Sequence, residues 1–146
     1  PAFLRSFARE RTVVGRWFGA HGKRDDLMIV GGAGAEVFYA DMRATDIFGL
    51  TDAYVAHSVP PSQSYPGHQR IAPLDYLLSR QPDFLLYNGH VGLDPYQPSE
   101  RERETWRARG FHWVSVRLPD LDPQRGNYLS FLKRRDRAIG PLPAEQ

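Results

Sequence analysis

Acidic, imidazole and guanidinium side chains are concentrated between positions 46 and 70 of this chain. Two carboxylates, Asp46 and Asp52, are followed by His57, His68 and Arg70. Carboxylates accept hydrogen bonds from sugar hydroxyls, and imidazole and guanidinium groups can bind anions or sugar hydroxyls. In α/β domains they collect after strand ends, in the loops that build polar sites. We therefore predict that these five side chains converge on one ligand-binding site.

Two glycines and a group of tyrosines complete the candidate site. Gly49 and Gly67 would allow a ligand to approach the backbone closely. Tyr39, Tyr54 and Tyr65 surround the polar stretch in sequence, and Tyr39 is included among the predicted ligand-binding residues because sugar rings stack on aromatic faces. The alternative interpretation is that Tyr39 and Tyr54 are half-buried anchors of helices.

The same residues also fit a purely structural role. Asp52 follows Thr51 at a predicted helix start, where Thr51 would cap the helix and a carboxylate favours the helix dipole. Asp46 lies in an apolar strand, so it needs a partner if it is buried, and Arg43 or Arg70 could supply one. A third interpretation is a free-standing α/β protein, either an enzyme in which Asp46 and His68 act as base and acid or a binding protein for a small sugar or phosphate ligand.

Other common chemistries are poorly represented. The turn at residues 31–34 resembles a phosphate-binding loop, but Val37 replaces the third glycine of that pattern. Two histidines and an aspartate could bind zinc, yet their spacing matches no compact ligand motif. The absence of cysteine excludes disulfides and thiolate chemistry. We predict no catalytic residue within the isolated domain, no metal and no cofactor.

Length and composition indicate one globular domain. The chain has 146 residues, of which 41% are hydrophobic and 25% charged. A net charge of only +2 gives no reason to expect a nucleic-acid partner, and the basic cluster at residues 133–137 is interpreted as a solvated strand end. No apolar run approaches the ~20 residues that span a bilayer. The chain begins with Pro1 and its first methionine is Met28, so we expect a piece of a longer protein.

Hydrophobic periodicity predicts alternating helices and strands. The predicted helices are residues 2–19, 33–40, 51–57, 73–80 and 99–110, and the predicted strands are 27–30, 45–48, 83–87, 111–117 and 127–134. The last segment also fits a short helix, but we favour a strand. This order predicts an α/β domain with a mainly parallel, Rossmann-like sheet and helices on its faces. We divide the chain into an amphipathic helix at 1–19, an α/β domain at 20–138 and a tail at 139–146. A juxtamembrane helix is an alternative for 1–19.

Several runs of residues carry a family resemblance. They are residues 32–35 with 38–39, then 45–52, 55–57 and 66–70. Together they resemble the C-terminal soluble domain of bacterial polyprenyl-phosphate-sugar-dependent membrane glycosyltransferases of the arabinofuranosyltransferase type. In that family the segments read D-x-x-G-L-x-D, I-A-R/H and G-H-x-K/R. His57 takes the Arg/His position here and Arg70 the Lys/Arg position. The resemblance covers roughly residues 10–135.

The resemblance implies a setting and a function. The parent chain would insert in the membrane, and this domain would lie on the extracytoplasmic face against the membrane-embedded part of the same chain. The sugar-transfer carboxylate of such enzymes belongs to a loop between membrane spans. The domain itself is then expected to be non-catalytic, and a glycan acceptor or polyprenyl-linked sugar is its expected ligand.

Overall fold

Helices and strands alternate along residues 2–140, which are the residues described by this computed structural model. The helices are α1 Ala2–His21, α2 Ala35–Ala40, α3 Ala53–Ser58, α4 Leu74–Ser79 and α5 Glu100–Ala108. The strands are β1 Leu27–Val30, β2 Arg43–Asp46, β3 Phe84–Gly92, β4 Phe111–Arg117 and β5 Tyr128–Arg134. The predicted α/β class is confirmed, and the last segment is a strand.

The five strands form one mixed sheet in the order β2-β1-β3-β5-β4. β1 runs parallel to β2 and β3, whereas β5 runs antiparallel to both β3 and β4. The predicted mainly parallel, Rossmann-like sheet is therefore not confirmed. The physical reason lies in the connection between β4 and β5, which holds no helix. Parallel neighbours need a long crossover, whereas a short connection favours antiparallel pairing.

Helices cover both faces of the sheet. On one face, Phe18 of α1 packs with Phe84 and Phe131 of the sheet in the first core cluster. On the other face, Val55 of α3 and Leu77 of α4 belong to a second cluster. Burial on both faces explains why β1 is a continuous apolar run. α1 is an integral part of the domain, because it supplies large side chains to the first cluster.

Two glycines bring α1 close to α2. A Cβ atom at Gly15 would lie 2.4 Å from the Glu36 carbonyl oxygen, and one at Gly19 would lie 2.6 Å from that of Tyr39. The contact that is later in α1, at Gly19, is also later in α2, at Tyr39. The two helices therefore run in the same direction. α2 begins at Ala35, so residues 2–11 of α1 extend beyond its first turn.

Several predicted boundaries shift. β2 begins and ends two residues earlier than predicted, at Arg43 and Asp46, and β3 continues to Gly92 through an irregularity in its pairing with β5. The predicted loop after residue 87 is thus partly strand, because β5 offers it a hydrogen-bonding partner. In the predicted tail, Ile139 is buried in the first core cluster, and residues 141–146 lie outside the described residues.

Candidate functional site

Asp46 ends β2 and is completely buried. Its two carboxylate oxygens accept hydrogen bonds from the backbone amides of Phe48 (2.9 Å) and Leu50 (2.7 Å). The predicted guanidinium partner is wrong: the Arg70 Nε donates to the Val59 carbonyl oxygen at 2.7 Å, and Arg43 is exposed. Backbone amides suffice because the chain turns immediately after the strand and directs the N–H groups of Phe48 and Leu50 at the carboxylate.

Gly49 belongs to this turn rather than to an open surface. Its φ of 80° is left-handed, and its amide donates to the Asp46 carbonyl oxygen at 3.2 Å. A Cβ atom here would lie 2.9 Å from the Ala56 amide nitrogen. The close approach that requires glycine is therefore made by the backbone of α3.

Asp52 links α3 to α4 through hydrogen bonds to Val55 and Tyr76. It is the N-cap of α3 in place of the predicted Thr51, and it accepts a hydrogen bond from the Val55 amide at 3.0 Å. The Tyr76 hydroxyl donates to the same carboxylate at 2.8 and 3.0 Å. The Tyr54 ring stacks on the Tyr76 ring, with centroids 4.3 Å apart and planes 29° apart. We call Asp52, Tyr54 and Tyr76 the Tyr54 platform.

The Tyr54 platform is open to solvent and polar at one edge. Tyr54 is 47% exposed, and Asp52 is partly exposed. Burial, and then the hydrogen bond to Asp52, raises the pKa of Tyr76 above its ordinary value of 10.0. The Tyr76 hydroxyl thus stays protonated at neutral pH and holds the carboxylate at the ring edge.

Three other predicted site residues, His57, His68 and Gly67, follow Tyr54 in the sequence and differ in their contacts. His57 is exposed in the last turn of α3. His68 packs edge-on against the Phe48 ring with centroids 4.2 Å apart, so it is tied to the turn after β2. Gly67 has a φ of 78°, and no atom would lie within 4 Å of a Cβ there. Its backbone is thus open to a ligand.

The loop that carries His68 is closed on itself. The amides of Ser62 and Gln63 both donate to the Gln69 carbonyl oxygen, at 2.7 and 3.1 Å. The Ala72 amide donates to the Ile47 carbonyl oxygen at 2.8 Å, which fastens the loop beside β2. These hydrogen bonds take the place of a regular β-ladder, which the prolines of the segment prevent because proline has no backbone N–H.

Tyr39 lies apart from the other candidates. It belongs to α2, which packs with α1 on the first face, and the Arg16 guanidinium lies 4.9 Å from its ring centroid. Asp52 and Tyr54 belong to α3 on the opposite face. Proximity in sequence did not produce proximity in space here, because β2 separates the two helices and the chain changes face after it.

Sequence reasoning missed Tyr76 and a second aromatic group. Tyr76 reaches Asp52 across 24 positions, a contact that no local pattern signals. His90 stacks on Tyr96 with centroids 4.1 Å apart, and Trp113 packs against both rings. A hydrogen bond to Glu102 raises the pKa of Tyr96. This group depends on the pairing of β3 with β5, so the isolated sequence gives no sign of it.

The basic cluster lies at the opposite edge of the sheet, where β1 and β3 begin. Arg134 pairs with Asp83 at 3.0 Å, and Arg137 pairs with Asp26. Both aspartates are buried, as is Lys133. The interpretation of residues 133–137 as a solvated strand end is therefore wrong for these three basic residues. Carboxylates that immediately precede β1 and β3 bind the two arginines. The Lys133 Nζ donates to the Arg137 carbonyl oxygen at 2.5 Å.

Comparison with known protein families gives a match over most of the chain. Residues 3–131 match the family described as Domain of unknown function (DUF8728). The chain belongs to this family. No curated protein and no solved structure matches it. Within residues 2–140, none of the helices combines the length and apolarity needed to cross a bilayer. In the same residues, no group of three acidic or imidazole side chains is arranged to hold a metal ion.

Proposed function

We propose that this domain is a non-catalytic accessory domain of a membrane glycosyltransferase. It would contact a glycan acceptor or a polyprenyl-linked sugar on the extracytoplasmic face of the bacterial membrane, beside the membrane-embedded part of its parent chain. The proposal rests first on the resemblance of residues 45–52, 55–57 and 66–70 to segments of that enzyme family.

The Tyr54 platform is the observation that carries the proposal. A partly exposed ring offers an apolar face to the C–H groups of a sugar, and the adjacent Asp52 carboxylate accepts hydrogen bonds from its hydroxyls. The open backbone at Gly67 and the exposed imidazoles of His57 and His68 add further polar contacts nearby in the chain. Such a shallow, solvent-facing site favours weak binding.

The sheet topology supports this location. β2, β1 and β3 are parallel, and the helices that connect them lie on opposite faces of the sheet. We propose that this half is Rossmann-like, with the change of strand order between β1 and β3. Open α/β sheets bind ligands beyond the carboxyl ends of their parallel strands, and Asp52 and Tyr54 follow the carboxyl end of β2.

The state of Asp46 supports a binding role over catalysis. Its carboxylate is buried and already accepts two backbone hydrogen bonds. A general base must reach the proton that it abstracts. In this geometry Asp46 serves the turn that precedes α3, and the pair formed by Asp46 and His68 does not offer an acid and base to a substrate.

The proposal is tested by titrating the isotopically labelled protein with arabinan or mannan oligosaccharides at millimolar concentrations. We expect amide and ring signals of Asp52, Tyr54 and Tyr76 to shift. Tyr54→Ala should weaken binding about threefold to tenfold. Tyr39→Ala is the matched control, because it removes a similarly exposed tyrosine on the opposite face and should leave the affinity unchanged. If the signals of the platform stay fixed, or if both variants lose affinity equally, the glycan proposal fails.

A purely structural role for the polar motif is the second candidate. It is favoured by the burial of Asp46 and by the bonds that both of its carboxylate oxygens accept within the turn. The two candidates make different predictions for Asp52. A structural motif predicts that Asp52→Asn changes only the free energy of unfolding, whereas the glycan site predicts an additional loss of affinity in a fully folded variant.

A further inference from the structure

β4 is an edge strand, and one side of its backbone faces away from the sheet. It is the last strand in the order and pairs only with β5. The Leu118 amide donates to the Asn127 carbonyl oxygen at 2.7 Å, and the Arg135 amide donates to that of Gly110 at 2.8 Å. Hydrogen-bonded and non-hydrogen-bonded pairs alternate along an antiparallel ladder. The even-numbered residues of β4 are therefore the ones whose backbone groups face β5.

The odd-numbered residues of β4 direct their backbone N–H and C=O groups outward. Three of them, Trp113, Ser115 and Arg117, are partly or fully exposed. Within residues 2–140, no other segment forms a hydrogen bond with the backbone groups of these three residues. The fourth, Phe111, is buried. We call residues 113–117 the β4 edge.

The β4 edge lacks the features that usually prevent an edge strand from pairing. Folded proteins protect such strands with proline, a bulge, an inward-pointing charge or a short length. β4 has seven residues, contains no proline and pairs with β5 in continuous register. The opposite edge strand, β2, has four residues and begins at the exposed Arg43. The β4 edge therefore presents a regular row of unpaired donors and acceptors.

We propose that the β4 edge pairs with the β4 edge of a second copy of this chain, which joins the two sheets into one. A twofold axis brings the same edge of each copy together as an antiparallel pair. The axis passes at Ser115. In that register Ser115 lies opposite its own counterpart and Trp113 lies opposite Arg117, so all three outward-facing residues gain a partner from the same three residues.

The side chains of the β4 edge are complementary in this register. The Arg117 guanidinium of each copy lies beside the Trp113 indole of the other, which is a favourable cation–π arrangement. The two Arg117 residues are four positions apart along the paired strands, or about 14 Å, which exceeds the screening length of physiological salt. No like charges face each other, so a second copy fits the edge.

Such a contact favours a weak dimer. The three facing pairs are hydrogen-bonded pairs, and each exchanges two backbone hydrogen bonds. A single strand edge buries less surface than most stable interfaces do, and association also costs translational and rotational freedom. The dimer is therefore expected at high micromolar protein concentrations. This inference concerns assembly and does not depend on the proposed glycan ligand.

Disulfide trapping tests the register directly, because the chain contains no cysteine. In a hydrogen-bonded pair the two Cα atoms at position 115 are about 5.5 Å apart, which a disulfide can span. Ser115→Cys at high micromolar concentration should be cross-linked when diamide takes up two electrons and two protons from the paired thiols. Arg117→Cys is the matched control, since Arg117 is more exposed than Ser115. Its two copies are about 14 Å apart in this register and should cross-link at least about tenfold more slowly.

Sedimentation velocity of the unaltered protein over a concentration series measures the dimer itself. Ser115→Pro removes an outward N–H and leaves the ladder to β5 intact, so it should raise the dissociation constant about tenfold or more. Ala44→Pro is the control at the other edge of the sheet. The amides of Arg43 and Ile47 face β1, so that of Ala44 faces outward from β2. Its loss should leave association unchanged.

Three results would overturn the proposal. They are a monomer at every concentration, equal cross-linking rates of Ser115→Cys and Arg117→Cys, and a dimer that a folded Ser115→Pro leaves unchanged. Circular dichroism establishes whether each variant is folded, and the two cysteine variants decide the matter should Ser115→Pro fail to fold. Oligosaccharide binding is measured at the Tyr54 platform, so loss of the dimer leaves the proposed function standing.

Discussion

Replacing Asp46 by alanine should strongly destabilise the domain. The variant loses two hydrogen bonds from the amides of Phe48 and Leu50 to a charged acceptor. Bonds to charged groups contribute about 1.5–3 kcal/mol each, so the gross loss is about 3–6 kcal/mol. Removing a buried carboxylate recovers part of its desolvation cost, which leaves a net loss of about 3 kcal/mol. With an m-value of about 2 kcal/mol/M, the urea midpoint should fall by about 1.5 M.

Asp46→Asn separates the hydrogen bonds from the charge. The amide keeps one acceptor oxygen but turns its NH₂ group toward the second backbone N–H, so about half of the loss is expected. Urea unfolding followed by circular dichroism measures both variants. Asp94→Ala, which removes an exposed carboxylate, is the control and should change the free energy of unfolding by less than about 0.5 kcal/mol. An unchanged midpoint in Asp46→Ala would refute the assignment of Asp46 to the turn.

Two further predictions concern the contact of α1 with α2. Burial raises the pKa of Glu36 above its ordinary value of 4.5 despite the opposing effect of Arg11. The folded state therefore binds the proton more tightly than the unfolded state, so this group's contribution to stability is present below pH 4.5 and declines as pH rises through the folded pKa. The stability of Glu36→Gln relative to the unaltered protein should rise over the same interval in urea titrations. Gly15→Ala should destabilise the domain by about 1–3 kcal/mol because its Cβ would meet the Glu36 carbonyl oxygen, whereas Gly34→Ala, with no atom within 4 Å, should be tolerated in thermal unfolding.

Local chemistry predicted the elements better than their partners. The apolar run of β1 and the start of α5 follow from the identities of neighbouring residues, and at that start the Ser99 hydroxyl accepts a hydrogen bond from the Glu102 amide at 3.2 Å. The mixed sheet was missed because strand direction depends on which strands pair. β5 pairs antiparallel with β3, its neighbour in space from much earlier in the chain.

For the candidate site too, local features were predicted and long-range partners were not. Asp52 was recognised at a helix start, but its partner Tyr76 comes from another helix. Tyr39 was grouped with the polar stretch, and the fold places it on the other face of the sheet. Asp46 was expected to need a partner if buried, with Arg43 or Arg70 as candidates, whereas the turn supplies backbone amides. A sequence pattern identifies groups that need partners and does not identify which partners the fold brings near.

The sequence by itself determined the α/β class, the positions of most elements and the concentration of polar groups between residues 46 and 70. These properties depend on contacts between residues a few positions apart. Only the tertiary structure decided that Asp46 is buried in a turn, that Tyr54 and Tyr76 form a platform beside Asp52, and that the first turns of α1 remain uncovered. Each depends on how distant segments pack, because burial is a property of the assembled core and not of any single stretch of chain.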